Sequence, residues 1–99
     1  MTNQYYNLAT TQVTGANISD GPTVLAGLTI NTAAANSVIR LFDALTAVTT
    51  GNNVLTITEP ATLLKNQDSI DFHDIIFLKG LTITQTTGAS DIVVAYRPA

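Results

Sequence analysis

The chain has 99 residues, a net charge of −3 and only 11% charged residues, which bounds it to one domain with few ions to place at its surface. Its four cations, Arg40, Lys65, Lys79 and Arg97, are widely spread, so no nucleic-acid partner is expected through a basic face. Cysteine is absent, which rules out disulfides and thiolate metal sites.

An ordinary globular domain carries about 25% charged residues. Here Thr, Asn, Gln and Ser must cover the surface, and Thr alone supplies about one residue in six. Thr is β-branched and suits a pleated, half-exposed surface better than a helix. A surface this poor in charge can pack against other protein without stranding ions. Area scaling allows a modest core, with roughly 5,400 Å² exposed when folded against about 15,000 Å² unfolded.

Residues 1–8 read as an N-terminal arm ahead of a single domain spanning 9–99. The arm holds Tyr5 and Tyr6, which cannot both face one side of a strand. Its start has no basic region followed by an apolar run, so no secretory signal is expected. No apolar run approaches the 20 or so residues of a membrane-spanning helix, and no membrane partner is expected.

Residues 9–14 read as a weak strand, and Gly15–Asn17 and Asp20-Gly21-Pro22 as turns. The segment 24–32 alternates Leu28 and Ile30 against Thr29 and Asn31, as a half-buried strand does. After a small-residue connection, 37–44 is apolar enough for a strand buried on both faces. A loop is expected over 46–53, then a short strand over 54–58 that Glu59-Pro60 stops, then one helical turn over 61–66. Further strands are read over 70–79, 81–87 and 91–97. Seven or eight short strands at close spacing predict an all-β sandwich or small barrel. The expected core is Leu28, Ile30, Ile39, Leu41, Leu55, Ile57, Ile76, Leu81, Ile83, Ile92 and Val94.

Gly27-Leu28-Thr29-Ile30 recurs as Gly80-Leu81-Thr82-Ile83, and Ser37 and Ile39 then echo as Ser90 and Ile92. The two stretches align without a gap over about fifteen residues. They predict two similar hairpins facing each other, each led by a glycine where backbone must bulge or approach closely.

The richest chemical cluster is Asp71-Phe72-His73-Asp74, with the only histidine. In an extended strand Asp71 and His73 share a face and Asp74 points away. One histidine and one carboxylate leave a metal short of ligands, so no metal, cofactor or catalytic residue is expected. No Gly-x-Ser-x-Gly elbow, phosphate loop or calcium loop is present, and Glu59 is the only glutamate. Neutral polar surfaces with a few tyrosines also occur on sugar-binding sandwiches, where Tyr5, Tyr6 and Tyr96 would stack.

Four stretches resemble small virion proteins of tailed bacteriophages, of the capsid decoration (cement) type. They are the Gly-Leu-Thr-Ile strand, Ser37–Ala44 (SVIRLFDA), Asp74–Ile83 (DIIFLKGLTI) and Asp91–Pro98 (DIVVAYRP). They mark a resemblance of the segment from Val24 onward, about three-quarters of the chain, and it carries over no catalytic residue. It implies a jelly-roll-like sandwich of antiparallel strands and a homotrimer. It further implies a protein made in the host cytoplasm that sits on the capsid surface and binds the major capsid protein or another virion protein. Tyr5 and Tyr6 are the expected partner-binding residues. The alternative is a carbohydrate-binding or adhesion module of a phage fibre or tail, with a small hydrolase third.

Overall fold

A computed structural model describes residues 2–8, 13–45 and 54–99, with backbone alone for 13–15. Most of the strand expected over 9–14 and the loop expected over 46–53 lie outside the described residues.

The described residues form eight strands: β1 (Gln4–Leu8), β2 (Val13–Asp20), β3 (Thr23–Thr32), β4 (Val38–Asp43), β5 (Leu55–Thr58), β6 (Asp68–Phe77), β7 (Gly80–Thr86) and β8 (Asp91–Pro98). The expected helical turn over 61–66 is an exposed irregular loop. Leu63 sits there at φ +58°, which no right-handed turn accommodates. Gly15–Asn17, expected as a turn, lies within β2, whose register shifts on both sides of Ala16 and Asn17 absorb the irregular residues.

The strands form two four-stranded antiparallel sheets, β1-β8-β3-β6 and β2-β7-β4-β5. β1 pairs with β8, β2 with β7, β3 with β6 and β4 with β5, the nesting of one long hairpin. The β3–β8 and β4–β7 pairs show that this hairpin is rolled on itself. The result is an eight-stranded jelly roll, as expected. Within the expected arm, Gln4–Leu8 is the edge strand of a sheet, with Leu8 buried in the core.

The internal echo is explained by this topology. β3–β4 and β7–β8 are not hairpins, because connected strands belong to opposite sheets. They are two arches locked together, β3 against β8 and β4 against β7. Equivalent residues are buried in both arches: Leu28 and Leu81, Ile30 and Ile83, Ser37 and Ser90, Ile39 and Ile92, Leu41 and Val94.

Alternation places one side chain of each pair inward, and Leu8, Leu25, Leu28, Ile30, Phe77, Ile92 and Val94 meet Ile39, Leu41, Leu81 and Ile83 between the sheets. Leu55 and Ile57, on the edge strand β5, are half-buried against this core. Ile76 is corrected: it is 59% exposed, and Phe77 takes the core position. His73 and Asp74 both adopt left-handed backbone, at φ +53° and +58°. Three residues there span the gap that Ala26 alone spans on β3, so the inward face moves from Ile70 and Phe72 to Ile75 and Phe77.

One buried polar cluster joins the two arches. The Ser37 hydroxyl and the Ser90 N–H both donate to Gln85 Oε1, at 2.8 and 2.7 Å, and Gln85 Nε2 donates to the Ser90 carbonyl at 3.1 Å. The Ser90 hydroxyl accepts from the Ala34 N–H at 2.9 Å. Every member has a partner, which is the condition for a buried polar group to be tolerated.

Candidate functional site

The outer face of the β1-β8-β3-β6 sheet carries the residues singled out in the sequence. Cross-strand pairing sets Tyr5, Ala95, Gly27 and Asp71 in one row across four strands, and Asn7, Val93, Thr29 and Ser69 in the next. Ala95, Gly27 and Ala26 have little or no side chain, so the sheet dips between Tyr5 at one edge and Asp71 at the other. The dip is an open dish of about 400 Å³ walled by Asn3, Thr29, Ser69, Asp71 and Asp74.

Glycine is required at its floor. A Cβ on Gly27 would lie 2.9 Å from the Ile70 carbonyl oxygen of β6. Tyr5 and Tyr6 point to opposite sides of β1, as alternation demands. Tyr5 is 70% exposed on the outer face, while Tyr6 packs against the core. Tyr96 is likewise half-buried against the core, so Tyr5 is the tyrosine available to stack on a ligand or partner.

The Asp71–Asp74 cluster departs from the extended geometry. Asp71 Oδ1 accepts from the His73 N–H at 2.8 Å, and His73 Nδ1 lies 3.9 Å from Asp71 Oδ2. The left-handed pair then swings Asp74 to the same dish as Asp71, where a regular strand would have separated them. Asp74 receives both arms of Arg97, at 2.9 and 3.3 Å, and Arg97 also donates to Asn3 Oδ1 at 3.1 Å. This fork joins the chain before β1 to β8 and β6. The hydrogen bond from Arg97 holds the Asp74 carboxyl below the usual range and raises the guanidinium in turn. A general acid needs the opposite shift, so Asp74 is suited to accepting hydrogen bonds rather than to donating a proton. Among the described residues no three His, Cys, Asp or Glu side chains gather as a metal would require.

The exposed large apolar side chains lie apart from the dish floor. Leu45, just after β4, Val54, just before β5, and Leu78, between β6 and β7, are exposed at the end of the roll where β4 and β6 finish. Hydrogen bonds from Gly21 N–H to the Lys79 carbonyl and from Ala44 N–H to the Gly80 carbonyl tie the β2–β3 turn and the end of β4 to the β6–β7 turn. Asp43 stiffens this end, accepting from the N–H groups of Lys79, Leu78 and Gly80 at 2.7, 3.1 and 3.4 Å. Burial alone would raise its carboxyl, but these three donors and the Lys79 charge bring it below the ordinary value. Leu63 and Leu64 lie at the opposite end, in the β5–β6 loop.

No protein-family model matches the chain, and no curated protein matches it. Function must therefore be argued from these surfaces.

Of the two tyrosines expected to bind a partner, Tyr5 is exposed and Tyr6 packs against the core, and the exposed leucines carried no periodic signal that could have marked them. Asp43 and Gln85 act through partners at least five residues away, and nothing local announces those partners.

Proposed function

We propose that this chain is a structural virion subunit, a decoration (cement) protein that binds the outside of a phage head shell as a homotrimer. The observation that carries the proposal is the placement of exposed apolar groups on a rigid frame. Tyr5 stands on a paired strand, Leu78 stands on a turn whose N–H groups donate to Asp43, Leu45 follows Ala44, whose N–H donates to the Gly80 carbonyl, and the Val54 N–H donates to the Leu41 carbonyl. Preordered apolar side chains bind protein at low entropic cost. The charge-poor composition supports the same role, since burying unpaired ions is costly. So does the resemblance of four stretches from Val24 onward to small tailed-phage virion proteins. The shell partner is a major capsid protein, and the subunit acts by bridging its copies rather than by chemistry.

A sugar-binding role draws support from the dish beside Tyr5, where Asn3, Asp71 and Asp74 offer acceptors to hydroxyl groups. The experiment that separates the two adds purified protein to shells stripped of it and, in parallel, to an array of glycans. Saturable co-sedimentation with shells and no glycan signal is the expected result. Glycan binding without shell binding would replace the proposal with the alternative.

A further inference from the structure

The dish on the outer sheet face is walled by two carboxylates of β6, and this chain brings an arginine to only one of them. Asp74 receives Arg97 of β8, at 2.9 and 3.3 Å. β3 lies between those two strands. The guanidinium therefore reaches across β3, over two strand spacings or about 10 Å. Ala95 stands two residues before Arg97, on the same face of β8. From Ala95 the row runs through Gly27 of β3 to Asp71 of β6. The same crossing is thus laid out twice, and in the second row a bare floor takes the place of the long side chain.

Asp71 is open to a partner, with its side chain 73% exposed. Its Oδ1 accepts from the His73 N–H at 2.8 Å, and among the described residues its Oδ2 accepts no hydrogen bond. His73 Nδ1 stands 3.9 Å from Oδ2, beyond hydrogen-bond distance, and pairs with it only when protonated. Among the described residues no lysine or arginine reaches Asp71, since Lys65 pairs with Asp68 and Arg97 with Asp74. The Thr29 and Ser69 hydroxyls, 3.1 Å apart in the next row, line the same dish. One donates to the other, and both oxygens keep a lone pair for a further donor.

We propose that the dish seats a lysine side chain of the shell protein, its stem laid over Ala95 and Gly27 and its ammonium on Asp71. An ammonium has three donors and no acceptor, which complements Asp71 Oδ2 and the two hydroxyls. Its aliphatic stem covers the small-residue floor, as long cationic side chains do on apolar surface. Arginine suits the place less well. Asp71 has one oxygen engaged by backbone and offers no fork, whereas Asp74 gives both of its oxygens to Arg97. A neutral sugar would leave the Asp71 charge uncompensated. The net charge of −3 favours a cationic partner in the same sense. This inference rests on the decorating role proposed above and names a group that the shell protein must present.

The test is carbodiimide cross-linking of the full chain on stripped shells, mapped by mass spectrometry, with co-sedimentation of Asp71→Asn, Ala95→Lys and Asp68→Asn. Carbodiimide joins a carboxylate to an amine in contact with it, so the expected product is an amide between Asp71 and a shell lysine. Asp71→Asn should lose that product and weaken shell binding at least about fivefold, with a shallower dependence on salt. Ala95→Lys lays an ammonium of this chain in the dish and should weaken binding likewise. Asp68→Asn removes a carboxylate outside the dish and should bind as the wild type does. Far-ultraviolet spectra check folding, and if Ala95→Lys does not fold, Asp71→Asn and the cross-link map decide. Cross-links that avoid Asp71, or wild-type affinity in both dish variants, would overturn the inference and leave the decorating role standing. A wild type that does not sediment with shells would overturn both. Glycan binding that is lost in Asp71→Asn would assign the dish to a sugar and overturn the inference as well.

Discussion

Gly27 of β3 and Gly80 of β7 occupy equivalent places in the two halves of the roll, each pressed against a neighbouring backbone. A Cβ on Gly27 would lie 2.9 Å from the Ile70 carbonyl oxygen, and one on Gly80 would lie 2.8 Å from that of Ser19. In both cases the obstacle is a strand of the same sheet, which cannot move aside as a flexible side chain would. Gly27→Ala and Gly80→Ala should each lower stability by roughly 1–3 kcal/mol, read as a shifted urea midpoint with unchanged slope. A neutral result at either position would mean that the paired strands yield more easily than their geometry states.

The Gln85 cluster should be more sensitive than its exposed counterparts. Gln85→Leu keeps the volume but leaves the Ser37 hydroxyl and the Ser90 N–H without their shared acceptor. Each orphaned group costs about 1–3 kcal/mol. Equilibrium unfolding of Gln85→Leu against Thr86→Leu, an exposed neighbour, is the comparison to make. The expected order is a large loss for the first and almost none for the second.

Two carboxylates should move stability in opposite directions with pH. Asp43 is held below its ordinary value in the folded chain, so its contribution is complete above about pH 4 and fades as pH falls through the folded value. Asp43→Asn should therefore be less stable than wild type at pH 7, by about 1–2 kcal/mol, and converge on it in acid. Glu59 is only 8% exposed, and burial, with the nearby Asp68 charge, pushes its carboxyl up. It favours the folded state most below about pH 4, and that benefit is lost as pH rises through the folded value. Glu59→Gln should be the more stable protein at pH 7, with the advantage vanishing in acid. Thermal melts from pH 3 to pH 8 would show both trends in one series.

Much of the fold was legible because most strands bury one face. The alternation at Leu28 and Ile30, Leu81 and Ile83, and Ile92 and Val94 assigns inside and outside without any long-range information. What failed did so where the backbone leaves the regular strand. Ile76 was read as core because nothing in Asp71-Phe72-His73-Asp74 announces two consecutive left-handed residues, and a bulge of that kind reverses every assignment after it. The dish was not legible either, since Ala95 and Gly27 become neighbours only once β3 and β8 pair.

Tyr5 and Leu8 separate contact from folding on one strand. Deleting residues 1–8 would strip β8 of its partner and remove Leu8 from the core, so a deletion confuses the two roles. Tyr5→Ser should leave the melting temperature within a few degrees and weaken shell binding. Leu8→Ala should destabilise by about 2–5 kcal/mol. Paired melts and shell co-sedimentation check both, and a Tyr5→Ser protein with full shell affinity would remove Tyr5 from the interface.

Copy number on purified particles tests the decorating role most directly. Quantitative mass spectrometry of intact virions, with cryo-electron microscopy of the same preparation, counts this chain against the major capsid protein. A decorating trimer predicts a fixed, high ratio to the shell protein and three-fold density at regular lattice sites on the head. A handful of copies confined to the tail, or none in the particle, would contradict it.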